Sequence, residues 1–418
     1  MTNKFRILLL TGFIITSIQL LNAQDGQGPQ VLRKVGVLDS LYSEILNESR
    51  EIYIQLPASY SPENNQKYPV VYILDGEVFL PAVTSVLDFY SGGFMPEMVL
   101  IGISNRKNRI RDLTTSTINT MYGRPFNQKN GEAASFIKFM EEELIPFVEE
   151  KYPVTNYRTI IGHSYGGLFA LYSLMYHPYL FANYLAIDPS LDWDNQYLVK
   201  QAPTLLSSQS YKGKSLFMSL GGQLHMQDPG ITINNVMQDS SEFTTFARSN
   251  LTFSKLVRQN ASNGLFFEWK FYPRDLHGTL TYPSIMDGLI AVFEWFQMEN
   301  TSRFNSPDTP KDELYGIVKY RENKLKSHFE YRVAPYPEDL LNMLGFMSLD
   351  MQQVEKARMF FEFAMEYYPQ SASACNAMAD YYESQKDYAN ALIFASKAYA
   401  LSGSEYHKRR VERLNPTE

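Results

Sequence analysis

The stretch that most constrains this chain is Thr159-Ile-Ile-Gly-His-Ser-Tyr-Gly-Gly-Leu-Phe-Ala170. A β-branched apolar run enters Gly-His-Ser-Tyr-Gly and leaves it as a helix-forming run, so the chain must pass from strand to helix in one tight turn. Small residues at Gly162 and Gly166 let strand and helix approach without Cβ clashes, and Gly167 eases the same packing. Such a turn strains the backbone at Ser164 and holds its hydroxyl above a sheet, at the positive end of the next helix. Ser164 is therefore a candidate nucleophile.

The surrounding pattern supplies the sheet. Arg50–Leu56 alternates with period two, as a half-buried antiparallel strand does, whereas Pro69–Leu74 and Met98–Ser104 are continuous apolar runs suited to strands covered on both faces. Helical patterns fall at Phe79–Tyr90 and Glu132–Lys151, and further strands are expected at Tyr184–Ile187, Ser215–Leu220 and Phe266–Tyr272. Strands alternating with helices predict an α/β domain, 24–300, around a mostly parallel sheet.

Past Asn300 the character changes. A polar stretch opens a linker and leading helix, 301–339, followed by helical sequence at 340–418 in which Asn342/Asn376, Ala357/Ala391 and Ala364/Ala398 recur 34 residues apart. That period, with Gly345 answered by Ala379 and Pro369 closing the first unit, resembles tetratricopeptide repeats. Two units are read, Leu340–Gln370 and Ala374–Gly403, with Tyr406–Leu414 as a cap. Two repeats fall short of the roughly three that a free-standing array needs, so docking on the catalytic domain is expected, with recruitment of a protein partner as the alternative.

At the other end, Lys4 and Arg6 precede a nearly continuous apolar run, Ile7–Leu21, and Leu21-Asn-Ala23 resembles a small-residue cleavage site. This reads as a signal peptide, 1–23, and predicts a periplasmic or secreted protein with no membrane span once the signal is removed. Removal leaves 418 − 23 = 395 residues, more than one typical core. A formal charge of −7 gives no footprint for nucleic acid, and a single cysteine, Cys375, permits neither an intrachain disulfide nor a cysteine metal cluster. No metal and no cofactor are expected.

A serine hydroxyl needs a neighbouring base. Of the six histidines, His163 adjoins Ser164 on the strand end and should point away from it, and His177, His328 and His407 sit on helices. His277, in Tyr272-Pro-Arg-Asp-Leu-His-Gly278 directly after the last strand, is the expected base. The acid should follow Leu220, where Asp228 is the carboxylate of Gly221–Gly230; Asp239 and Glu242 come next, and Asp188, ending the preceding strand, is a topological alternative. Oxyanion amides are expected from Tyr165 and from the loop after Leu74, at Gly76. Arg106, Arg109 and Arg111 lie at the carboxyl edge of the sheet, either as a cationic lip for an anionic acyl group or as a solvated loop with an Arg111–Asp112 pair. Trp193 either lines the acyl pocket or packs beneath a lid.

With these residues in view, Tyr68–Gly76, Arg109–Thr114, Tyr157–Gly167, Pro189–Trp193 and the His277-Gly278 loop resemble an esterase family of α/β-hydrolases. That family includes enterochelin-type siderophore esterases, feruloyl and other carbohydrate esterases, and S-formylglutathione hydrolase. The resemblance covers roughly residues 35–298. It implies an α/β-hydrolase fold and a small-molecule or carbohydrate ester substrate, cleaved by Ser164 and His277. It departs from many siderophore esterases after Gly221-Gly222, where a glutamate is usual and Gln223, Leu224 and His225 stand instead. Acyl transfer to an alcohol would use the same residues, and a non-catalytic scaffold built on the repeats is the contrasting reading.

Overall fold

The computed structural model describes residues 35–62, 66–225 and 227–415. The apolar segment read as a signal peptide lies outside the described residues.

Eight strands form one sheet: β1 (Val37–Ser43), β2 (Glu48–Gln55), β3 (Tyr68–Leu74), β4 (Val99–Ile103), β5 (Val154–His163), β6 (Asn183–Ile187), β7 (Ser215–Gly221) and β8 (Phe266–Tyr272). Their spatial order is β1-β2-β4-β3-β5-β6-β7-β8. β1 pairs antiparallel with β2 and β2 with β4, and every other pairing is parallel. This is an α/β-hydrolase sheet. The continuous apolar runs became its centre because helices cover both faces: all seven residues of β3 and all five of β4 and β6 are buried. One face packs on helices Ala133–Phe139, Tyr165–Tyr176 and Thr245–Gln259 through residues such as Phe136, Phe169 and Phe253. The other packs on Gly76–Tyr90 and Thr281–Phe293 through Val83, Ile285 and Leu289. The helix expected over Glu132–Lys151 is interrupted by a π-helical turn at Met140–Leu144.

The tail consists of Lys311–Phe329, then two helix pairs, Glu338–Asp350 with Val354–Tyr367 and Ala372–Ser384 with Tyr388–Ser402, and a last helix, Glu405–Leu414. The pairs start 372 − 338 = 34 and 388 − 354 = 34 residues apart. The polar stretch after Asn300 is not wholly extended linker, since Thr301–Phe304 makes one helical turn. Buried Arg321 fastens the leading helix to the sheet domain, donating to the carbonyls of Gln297 (2.9 Å), Phe296 (2.7 Å) and Pro335 (2.6 Å). Trp295 stacks on His328 with centroids 3.9 Å apart, and Phe329 meets Tyr157 edge-on at 4.9 Å. No helix among the described residues is long and apolar enough to cross a membrane.

Candidate active site

Three residues that directly follow central parallel strands carry left-handed backbones: Asp75 after β3 (φ 52°), Ser164 after β5 (φ 60°) and Asp188 after β6 (φ 44°). Such conformations cost of order 1–3 kcal/mol each for a non-glycine residue and persist where the surroundings over-determine them. At Ser164 the cause is visible. A Cβ on Gly162 would lie 2.1 Å from the Gly166 carbonyl oxygen, so only glycine lets the helix Tyr165–Tyr176 start so close to its strand. The Ser164 amide donates to the Ile187 carbonyl (2.9 Å), and the Ser190 amide donates to the Ser164 carbonyl (3.1 Å), pinning the turn on both sides.

His277 lies on the loop after β8 with its ring partly exposed, and its Nδ1 stands 2.7 Å from Asp188 Oδ2. A carboxylate accepts, so Nδ1 carries the hydrogen and Nε2 is left as the basic nitrogen. The other oxygen of Asp188 accepts the Gly221 amide at 3.0 Å, and the residue is buried. Asp188 is therefore the carboxylate that holds the imidazole in this structure. Asp228, the expected acid, is not brought to His277: its Oδ1 accepts the amide of Gly230 (2.8 Å) in an exposed turn. The physical reason is that β6, the immediate neighbour of β5, ends beside the Ser164 turn, whereas Asp228 lies 228 − 221 = 7 residues beyond the end of β7, in an exposed turn that bonds to itself. Asp239 is likewise occupied locally, accepting from Ser241 and Thr244.

Ser164 Oγ lies within hydrogen-bond distance of Ser190 Oγ, 3.1 Å away. Ser190 was not singled out from sequence, although Pro189-Ser190 directly follows Asp188. Tyr165 and Gly76 are each the first residue of a helix, Tyr165–Tyr176 and Gly76–Tyr90, so their amides have no intrahelical acceptor and both helix dipoles point positive ends at the carboxyl edge. The Cα of Gly76 is turned toward the sheet, for a Cβ there would lie 2.4 Å from Gly102.

The arginines divide. Arg109 donates from Nε to Asp75 Oδ1 (2.8 Å) and from Nη2 to the His163 carbonyl (3.0 Å), and its guanidinium lies 5.5 Å from the Tyr165 ring centroid. Arg111 is not a lip residue. It is buried against Glu48 (2.6 and 3.0 Å) and Asp112 (2.7 Å), and Arg50 completes the cluster at 2.7 Å from Asp112. Hydrogen bonding to Arg111 holds the Glu48 carboxyl at about 2 despite its partial burial. Arg106 is exposed. Trp193 is also core: it is 1% exposed, donates to the Ser116 carbonyl (2.9 Å), and packs edge-on beneath Tyr165 at 5.5 Å. Phe246 stands edge-on to His277 at 5.4 Å.

The ring of His163 faces the His277 loop. Its Nε2 lies 2.8 Å from the His277 carbonyl, and the two rings are 4.6 Å apart. Burial first, and then the neighbouring His277 and Arg109, push its imidazole down to about 3, against the opposing effect of the backbone bond, so it is neutral at ordinary pH.

Residues 43–248 match the family model described as "Putative esterase". The ferri-bacillibactin esterase BesA of Bacillus subtilis (strain 168) is 32% identical over 178 residues, 38% of this chain and 61% of that protein. This chain therefore spans less than two thirds of that relative's length. Among solved structures, an IroE-like serine hydrolase from Shewanella oneidensis is similar with TM-score 0.64 and 28% identity, covering 79% of this chain and 99% of that one. An uncharacterised protein from Capnocytophaga ochracea shares the fold over 91% of this chain and 99% of its own, at TM-score 0.56 and 19% identity. The elbow, the base loop and most of the sheet thus sit in a chain whose residues 43–248 carry the pattern of that esterase family on an α/β-hydrolase fold.

Proposed function

We propose that this protein is a serine esterase that works through a covalent acyl-enzyme. Ser164 Oγ attacks the ester carbonyl carbon while its proton passes to His277 Nε2. Asp188 fixes the imidazole in the reactive tautomer and stabilises the imidazolium. The negative charge that develops on the carbonyl oxygen is met by the amides of Tyr165 and Gly76, which need no reorganisation because helix starts hold them. Collapse expels the alcohol, which takes the proton from His277. Water then attacks the acyl-enzyme with His277 again as base, and the acid leaves. The observation that carries this reading is the 2.7 Å contact of His277 with a buried Asp188, on the loop beside the strained Ser164 turn.

For the substrate we propose the ester of a siderophore, because the family relatives include a protein named as a ferri-siderophore esterase and Arg109 stands next to the Tyr165 helix start, where an anionic or catecholate acyl group would meet a cation. Export by the N-terminal segment and a tetratricopeptide-like role for the tail belong to the same proposal. Fluorophosphonate labelling of the full chain followed by a panel of aryl esters and cyclic catecholate esters tests it. Ser164→Ala should abolish labelling and lower kcat by about 10⁴-fold or more with little change in melting temperature. Retained turnover in that variant sinks the assignment; turnover of aryl esters without cyclic catecholate esters leaves the chemistry and removes the siderophore.

A further inference from the structure

The sheet's carboxyl edge holds a continuous line of contacts that the hydrolytic steps do not use. Asn105 Oδ1 accepts the amide of Asp75 (3.0 Å), Asp75 Oδ1 accepts Arg109 Nε (2.8 Å), Arg109 Nη2 donates to the His163 carbonyl (3.0 Å), and His163 Nε2 meets the His277 carbonyl (2.8 Å). The line joins the turn after β3, the turn before the nucleophile and the base loop, three segments that no single element holds together. We propose that His163 is the positioning residue that sets the base loop against the nucleophile, with Arg109 fixing its main chain. The inference rests on the triad reading given above.

The geometry argues for the ring and against a mere spacer. A backbone carbonyl can only accept, so Nε2 of His163 carries the hydrogen and Nδ1 is the bare nitrogen. The bond reaches the main chain of His277 itself, hence it fixes the point from which the catalytic ring swings. Asp188 fixes the ring itself through Nδ1. Two anchors, one on the backbone and one on the ring, define the direction of Nε2; either alone leaves a rotation. A small misplacement of a base is costly, since displacements near 1 Å can lower rates about 10²-fold. The neutral state of His163 matters too, because a second cation 4.6 Å from His277 would oppose the imidazolium that forms during attack.

The test uses the full-length chain. His163→Phe keeps the ring and loses the donor; His163→Gln restores an N–H near the position of Nε2; His163→Asn carries its amide too close to the backbone to reach. We expect His163→Phe and His163→Asn to lower kcat and the fluorophosphonate labelling rate 10- to 100-fold with KM within about threefold, and His163→Gln to recover to within about threefold of the parent. Equal kcat in His163→Gln and His163→Asn overturns the proposal, as does a folded His163→Phe with parental kcat. The pair of amide variants decides the matter if His163→Phe does not fold. His277→Ala serves as reference: parental turnover in that variant breaks the triad reading, whereas an inactive His277→Ala beside a parental His163→Asn breaks the positioning role alone.

Discussion

The carboxyl edge of the sheet and the helical tail use left-handed backbone for opposite ends. At the edge it falls on Asp75, Ser164 and Asp188, each at the end of a central strand, and polar contacts hold Asp75 and Asp188 there. In the tail it falls on Glu330, Gln352 and Lys386, each just past a helix; Gln352 and Lys386 are 386 − 352 = 34 residues apart and turn the chain between paired helices. In the proposed mechanism strain at the edge aims the reacting groups, whereas in the tail it only ends helices so that their faces can pack. Changes at the edge should therefore cost rate with little stability, and changes in the tail stability with little rate.

The sharpest attempt to break that contrast is at the acid. Asp188→Asn keeps volume and burial but offers Nδ1 of His277 an amide, which favours the wrong tautomer and cannot stabilise the imidazolium; kcat should fall by about 10⁴-fold. Asp228→Asn, confined to an exposed turn, should stay within about twofold. Steady-state kinetics on one aryl ester compares them, and a strong loss in Asp228→Asn with none in Asp188→Asn would return the acid to the later loop.

The sequence pointed to a loop whose carboxylate does not meet His277, and the reason is physical. The elbow, the central strands, His277 and the 34-residue period are local patterns, each contained in a run of neighbours, and the structure places strands and helices there. The acid depends on which loop reaches His277 across 89 residues of chain, and nothing near Asp188 or Asp228 encodes that reach. Arg111 is similar. Beside Asp112 it reads as a surface pair, but its main partner is Glu48 on β2, 63 residues earlier, which draws it inside. Ser190 and the turn of His163 toward the base loop are likewise products of strand order.

A second comparison sets the two arginines apart. Arg111→Ala removes a buried cation from the Glu48–Arg50–Asp112 cluster and should lower stability by about 3 kcal/mol, the low end for a broken buried ion pair because Arg50 still faces Asp112. Its KM for a charged ester should stay at the parental value. Arg109→Ala should instead raise that KM, with a smaller loss of stability. Urea midpoints and KM values on an anionic and a neutral ester separate the two, and equal KM effects would put Arg111 back at the rim.

The lowered pKa of His163 predicts an acid sensitivity for the edge. A free histidine titrates near 6.5, whereas this one is held down to about 3. As pH falls below 6.5 the unfolded chain binds a proton at this position and the folded chain does not, so stability is lost on the way down toward 3. From pH 6.5 to 4.5 that loss is about 2 kcal/mol. His163→Gln has nothing to titrate, so its stability should fall by about that much less over the same interval. The Glu48 carboxyl, held at about 2, sheds its contribution below its ordinary 4.5 and so at lower pH. Denaturant unfolding of parent and variant at the two pH values gives the difference; parallel slopes would mean the buried ring takes up its proton while folded.

The smallest effect is expected in the tail, where it tests the other half of the contrast. Gly345 lies where the helices Glu338–Asp350 and Val354–Tyr367 touch, and a Cβ there would stand 2.4 Å from the ring of fully buried Phe361. An aromatic ring packed against Ala357, Ala377 and Tyr381 has no free side to move into, so Gly345→Ala must push the helices apart. Overpacking of this kind costs about 1–3 kcal/mol. Part of that is returned by the better helix propensity of alanine, worth up to about 1 kcal/mol. A net loss near 1 kcal/mol should appear in thermal unfolding, while aryl-ester kcat and KM remain parental, because the edge is held by its own contacts and Arg321 fastens the tail through the leading helix instead of through Gly345. A drop in kcat larger than about twofold in this variant would mean that the tail's packing reaches the active site, and the separation of rate from stability along this chain would fail at that point.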